Sequence, residues 1–259
     1  MPDVTSHAPG AFSWPELGTT DQHASAAFYA ALFGWTINDQ PMGPGETYTM
    51  SEMRGRPVAA AYTLRAEEKQ SGAPPHWNNY VTVASADDAA AKAKELGATL
   101  IEEPFDVMGA GRMALLADPA GATLCVWEAR DAIGAGRVNE PGALTWNELH
   151  TTDLDGASAF YGALFSWTTE PMPTGDGPPY HVISNSGRSN GGITATQPGE
   201  PPNWVPYFAV SSVDDALSEA NEGGGATLAG PIPMPQGRIA VLRDPQGAVF
   251  ALWEGTLDG

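Results

Sequence analysis

Cysteine is almost missing from this 259-residue chain, where Cys125 stands alone. One thiol forms no internal disulfide and supplies no thiolate zinc cluster, which needs several, so nothing points to an oxidising compartment. Cationic residues are scarce as well. Twelve Lys and Arg face 31 Asp and Glu, a formal net charge of −19. That charge repels nucleic acid and anionic membranes, and neither is expected as a partner. No stretch approaches the roughly 20 apolar residues of a spanning helix, and Met1 to Phe12 lacks the basic start and apolar run of a secretion signal. A cytoplasmic location is the expectation. Charged residues make up only 17% of the chain against 42% hydrophobic, a balance that builds cores rather than a disordered polymer. The length suits two domains of about 100 to 150 residues.

What the chain does have is a repeat. At an offset of 132, Trp14, Glu16, Leu17, Thr19, Thr20, Asp21, Phe28, Tyr29, Ala31, Leu32, Phe33 and Trp35 recur as Trp146, Glu148, Leu149, Thr151, Thr152, Asp153, Phe160, Tyr161, Ala163, Leu164, Phe165 and Trp167. The offset drifts to 127 for Trp77 and Tyr80 with Trp204 and Tyr207, then to 126 for Asp118-Pro119, Gly121 and Trp127 with Asp244-Pro245, Gly247 and Trp253. A fixed-offset repeat sets the architecture before any residue has a role. It predicts two homologous domains, 1–130 and 142–259, with a glycine-rich linker at 131–141.

Each half divides again by pattern. Trp14 to Thr19 alternates like a strand, and Thr20-Asp21 then caps a helix whose apolar positions Ala24, Ala27, Phe28, Ala31 and Leu32 follow helical spacing. Short strands follow near Thr36, over Tyr48 to Met53 and over Pro57 to Leu64, set apart by Pro and Gly turns. From Trp77 the βαβββ order returns, with Asp87-Asp88 opening its helix. The expected class is α+β, with paired βαβββ modules forming a curved eight-stranded sheet in each domain.

Paired βαβββ modules with Asp21, Phe28-Tyr29, Phe33 and Trp35 in the first, and an Asp118-Pro119-x-Gly121 hairpin before the last strand of the second, resemble the vicinal oxygen chelate superfamily. That group includes glyoxalase I, bleomycin-resistance proteins, fosfomycin-resistance enzymes and extradiol dioxygenases, and the likeness is to its tandem-domain actinobacterial branch. The resemblance implies a divalent metal held from the inner faces of the strands. The corresponding places here are Trp14 and Trp146, Asn78 and Val205, Cys125 and Ala251, and one near Ala59 and near Thr194 or Ala195. Trp, Val and Ala supply no donor atom, so neither a metal nor any other cofactor is expected.

The strand period of two then names what lines each cup. Trp14 shares its face with Glu16 and Gly18; Trp146 shares its face with Glu148 and His150. Asn78, Tyr80 and Trp127 complete the first lining, and Tyr207 and Trp253 the second. Glu16, Glu148 and His150 are the candidate acid–base groups. The plainer readings are tryptophans that merely fill a vacated cup, and carboxylates neutralised by Arg112 or Arg238. His7, His23, His76 and His181 are expected at the surface, and Cys125 as an inert buried thiol.

An aromatic cup with one carboxylate suits a hydrophobic, aromatic small molecule. With it, the resemblance to bleomycin-resistance proteins implies a metal-free binding protein for antibiotic or secondary-metabolite chemistry, acting in sequestration or as the accessory partner of a biosynthetic enzyme. The alternatives are an enzyme of the glyoxalase, dioxygenase or hydroxylase type using Glu16 or Glu148, and a protein whose pockets have closed.

Overall fold

The computed structural model describes residues 3–43, 46–175 and 177–257. The first half contains β1 (Phe12–Thr19), α1 (Gln22–Phe33), β2 (Thr36–Gly43), β3 (Glu46–Met53), β4 (Arg56–Thr63), α2 (Ala66–Gln70), β5 (His76–Thr82), α3 (Ala86–Glu95), β6 (Thr99–Val107), β7 (Gly111–Ala117) and β8 (Thr123–Ala129). The second half contains β9 (Leu144–Thr151), α4 (Leu154–Phe165), β10 (Thr168–Met172), β11 (Tyr180–Asn185), β12 (Arg188–Ala195), β13 (Asn203–Ala209), α5 (Val213–Glu222), β14 (Ala226–Met234), β15 (Gly237–Arg243) and β16 (Val249–Gly255). Only α2 has no counterpart in the sequence reading. None of the described helices is long and apolar enough to cross a membrane.

Each half is one eight-stranded sheet, ordered β2-β3-β4-β1-β5-β8-β7-β6 and β10-β11-β12-β9-β13-β16-β15-β14. The two modules of a half meet where β1 runs antiparallel to β5 and β9 to β13. The sequence pattern accounts for the helices. Asp21 accepts the amide of Ala24 at 3.0 Å, and Asp153 that of Gly156 at 2.9 Å. These side chains satisfy amides that the first turn leaves unpaired.

The buried faces of the helices explain the repeated aromatic motif, and the explanation crosses between halves. Phe28 and Phe33 of α1 pack on Phe250 and Phe208 of the second sheet. Phe12 of β1 packs on Trp167 and Trp204. Both large cores draw residues from both halves.

Reciprocal polar contacts fix the arrangement. Asp118 Oδ1 accepts the amides of Ala120, Gly121 and Ala122, while Oδ2 accepts the hydroxyl of Tyr161 from the other half at 2.9 Å. Asp244 does the same for its own turn and takes Tyr29 at 3.1 Å. Trp35 Nε1 donates to the carbonyl of Gly142, and Trp167 Nε1 to that of Gly10.

The Tyr161 hydroxyl also accepts Trp204 Nε1 at 2.9 Å. Tyr161→Phe therefore strands a buried indole donor and one carboxylate oxygen, at an expected cost of about 1 to 3 kcal/mol. Urea unfolding checks this, and an unchanged midpoint contradicts it.

The stretch between the halves does not hang free. Ala135 donates its amide to Ser13 and Gly136 to Pro57, and Ala135 with Val138 packs against the aromatic lining of the first sheet. The His7 ring bonds the Ala135 carbonyl at 2.8 Å, so this histidine is half-buried rather than on the surface as expected. His181 departs further from the expectation. Because Tyr180 faces the cup, strand alternation turns His181 under α4, where it is buried and bonds Ser158 Oγ at 2.8 Å.

Candidate functional site

On one face of each sheet, away from the helices, a smaller cluster gathers around the repeated carboxylate. In the first cup Trp14, Tyr80, Cys125 and Trp127 form one buried cluster, with Ala135 and Val138 closing over it. Register places Glu16 of β1 between Ala60 of β4 and Asn78 of β5. The position near Ala59 needs correction, since Ala59 belongs to the core between the halves and its neighbour Ala60 looks into the cup.

Glu16 is fully engaged. Tyr48 donates to Oε1 at 2.7 Å and Tyr80 to Oε2 at 2.8 Å, while Trp14 Nε1 donates to the Tyr48 hydroxyl at 3.3 Å. Burial pushes the Glu16 carboxyl above its ordinary range, against the opposing pull of the two phenols. Burial and the nearby Glu16 push Tyr48 and Tyr80 far up. Burial also holds the Cys125 thiol protonated, an inert group as expected.

The second cup repeats this set and departs from it at one point. Trp146 Nε1 donates to the Tyr180 hydroxyl at 2.9 Å, and Tyr207 donates to Glu148 Oε1 at 2.8 Å. That same oxygen lies 3.1 Å from His150 Nε2, and the charge of Glu148 helps push the Tyr180 hydroxyl far above its ordinary range. His150 Nδ1 lies 2.7 Å from Glu200 Oε1. Burial alone depresses the imidazole pKa, but the hydrogen bond to Glu148 and the charges of Glu148 and Glu200 outweigh it and raise the value. Trp146, Glu148, His150, Tyr180 and Trp253 all stay partly open to solvent. Val205 and Ala251 form the apolar floor.

The departure is an exchange of elements. Where the second half has His150, the first has Gly18, and the space is filled from β4 by Tyr62; a Cβ at Gly18 would meet the Tyr62 hydroxyl at 2.8 Å. Tyr62 donates to Glu68 at 2.7 Å and accepts Asn78 at 3.2 Å. Glu68 and Glu200 stand 132 residues apart, so each half keeps a carboxylate there and presents a different group to it.

Arginine does not neutralise either cup carboxylate, which corrects the pairing expected with Arg112 or Arg238. Arg112 holds Asp87 and Asp106, and Arg238 holds Asp214 and Glu254, with Asp87 and Asp214 in the first turns of α3 and α5 on the helix side of the sheets. The real partners include Tyr48 and Tyr180, which the sequence reading missed. They stand 132 residues apart, the offset that picked out Trp14 and Trp146, and that was the available signal.

This sheet order and these paired cups define a class. The chain belongs to the glyoxalase-like proteins of the vicinal oxygen chelate superfamily, and the family described as "Glyoxalase-like domain" matches residues 16–127. Its relatives include CFP32 of Mycobacterium tuberculosis, 39% identical over 255 residues and 97% of each chain. They also include the anthracycline biosynthesis protein DauV of Streptomyces sp. strain C5, 35% identical over 269 residues, 97% of this chain and 95% of that one. The fold is shared with the Mn(II)-bound glyoxalase of Novosphingobium aromaticivorans, at TM-score 0.67 and 17% identity over 95% of this chain and 82% of that one. It is shared also with the 2,3-dioxygenase LapB of Pseudomonas sp. KL28, at TM-score 0.67 and 12% identity over 96% and 94%.

The fold family implies a divalent metal, and the donors present do not fit one. Trp14, Trp146, Val205 and Ala251 occupy the expected places, and the Trp14 and Trp146 ring nitrogens donate to tyrosines. Glu148 and Glu200 bond opposite nitrogens of His150, so the imidazole separates them and the three do not converge on one ion. Among the described residues no group of three or more His, Cys, Asp or Glu is placed to hold a metal.

Proposed function

We propose that this protein binds a hydrophobic, hydroxylated aromatic molecule of secondary metabolism in its second cup, without a metal. The observation that carries the reading is the state of the repeated carboxylate. Both oxygens of Glu16 are capped by phenols in a buried cluster, whereas Glu148 shares one oxygen between Tyr207 and His150 and belongs to a lining, with Trp146 and Trp253, that stays partly open to solvent. Two aromatic walls and one acceptor suit a flat ring system bearing a hydroxyl. The anthracycline biosynthesis protein DauV, a full-length relative, lends support, since anthracyclines are polycyclic, hydroxylated and aromatic.

Tryptophan quenching by a hydroxyanthraquinone, alizarin, tests the proposal, with a saturable response expected. Losing one stacking wall costs about 0.5 to 1.5 kcal/mol beyond the area exposed. Trp146→Ala is therefore expected to weaken binding about tenfold or more. Glu148→Gln is expected to change the preference between hydroxyl and methoxyl substituents more than it changes the melting temperature. Unsaturable quenching, or full binding by a Trp14→Ala, Trp146→Ala double variant, contradicts the reading.

A further inference from the structure

We infer that Met172 and Met234 are sites of sulfur oxidation by a hydroperoxide, and that their sulfoxides weaken the hold of the second cup on its ligand. The loss of affinity rests on the binding reading above; the oxidation stands without it. The two outermost strands of the second sheet, β10 and β14, both close on a Pro-Met pair, Pro171-Met172 and Pro233-Met234. Each methionine falls on the cup side. Met172 is paired with Tyr180, and residues directly opposite in an antiparallel pair share a face. Tyr180 is the phenol that takes Trp146 Nε1. Met234 lies two residues beyond Ile232, whose partner Ile239 belongs to the cup cluster with Trp253.

Two glycines separate Met234 from the Trp253 wall. Met234 pairs with Gly237 and Gly237 with Gly255, and the ring of Trp253 leans over Gly255, 2.7 Å from where a Cβ there would lie. Both methionines are also open to solvent, Met172 at 48% and Met234 at 43%, whereas Met53 is 7% exposed and the Met113 sulfur accepts the Tyr80 hydroxyl at 3.7 Å. The first cup has neither sulfur. At the places given by the repeat offsets it carries Gln40, opposite Tyr48, and Val107, opposite Gly111.

The step needs only a peroxide. A sulfur lone pair attacks the outer oxygen of the hydroperoxide, the S–O bond forms as the O–O bond breaks, and the departing oxygen takes the proton and leaves as water or an alcohol. Sulfur loses two electrons and the peroxide gains them. The lone thiol does not compete, because Cys125 is buried and held protonated. A thioether is soft and apolar, whereas a sulfoxide is polar, chiral and carries an acceptor oxygen. A flat ligand seated against Tyr180 or Trp253 then covers a group that prefers water, and covering it without a partner is unfavourable. Affinity falls while Glu148 and His150 stay as they are.

The test treats the full-length chain with hydrogen peroxide, destroys the excess with catalase, locates sulfoxides by peptide mass mapping and reads alizarin affinity from tryptophan quenching. Met172 and Met234 are expected to oxidise together with the exposed Met42 and Met108, and well before Met53. The affinity of treated wild type is expected to fall about fivefold or more. Methionine sulfoxide reductases acting on both epimers should restore it. Each variant is compared with itself before and after peroxide. A Met172→Leu, Met234→Leu variant should then show no change, whereas a Met42→Leu, Met108→Leu variant should lose affinity as wild type does. Undiminished affinity in protein carrying both sulfoxides, an equal loss in the Met172→Leu, Met234→Leu variant, or resistance of Met172 and Met234 under conditions that oxidise Met42 overturns the inference. Absence of saturable quenching before any peroxide removes the binding reading and the loss of affinity with it, and the mass mapping still decides whether the two methionines oxidise.

Discussion

Residues 1–130 produced without the rest of the chain are expected to give no cooperative unfolding transition and to aggregate, and residues 131–259 are expected to do the same. Phe28, Tyr29, Phe33 and Trp35 form one cluster with Phe208, Leu242, Phe250 and Leu252 of the other half. Cutting the chain exposes all of these rings to water, at about 25 cal/mol for each Å2 of apolar surface. It also strands Asp118, Asp244 and the donors of Trp35 and Trp167. A domain's net stability is about 5 to 15 kcal/mol, and each fully buried large apolar side chain supplies about 1.5 to 3 kcal/mol of it. Losing several at once exceeds the margin. Co-expression of the two pieces should restore a soluble complex. A monomeric, cooperatively melting 1–130 fragment in size-exclusion chromatography and circular dichroism contradicts the expectation.

Gly192→Val is expected to weaken ligand binding in the second cup about a hundredfold while leaving the first cup and the core between the halves in place. A Cβ at Gly192 would overlap the hydroxyl and ring of Tyr180, and two further methyl groups make that overlap unavoidable. Tyr180 must then leave, and with it goes the acceptor of Trp146 Nε1. The first half has Ala60 at this place, and its tyrosine, Tyr48, donates to Glu16 without a clash. The expected loss in alizarin affinity is about a hundredfold, since it removes one aromatic wall and frees another, roughly 3 kcal/mol together. Undiminished quenching in a variant whose melting temperature is unchanged contradicts this.

The architecture was largely legible from residues. The offset of 132 marked two halves with the same strand order, and Trp14, Glu16 and Tyr80 of the first sheet, like Trp146, Glu148, His150 and Tyr207 of the second, stand on neighbouring strands. What escaped depends on which strands become neighbours, and a local pattern does not encode that. Tyr48 meets Glu16 only because β4 carries β3 beside β1. Glu200 meets His150 from a turn 50 residues away. The expected arginine pairing fails on strand alternation: Met113 and Ile239 face the cups, so their neighbours Arg112 and Arg238 face the helices, where they hold Asp87 of α3 and Asp214 of α5. The role of the tyrosines in the Phe-Tyr pairs was equally hidden, since their partners Asp118 and Asp244 belong to the opposite half.

The exchange of Tyr29 for Tyr161 across Asp244 and Asp118 has the form of an isologous two-fold interface, in which the same patch meets itself. In a homodimer every substitution appears twice, so a change that suits one copy is imposed on the other. Joining the copies into one polypeptide removes that constraint from the cups and leaves it on the shared seam. His150 could arise on one side only, with Gly18 and Tyr62 retained on the other. Covalent linkage thus gives this molecule what identical subunits lack, a symmetric scaffold whose two concave faces answer to different selection.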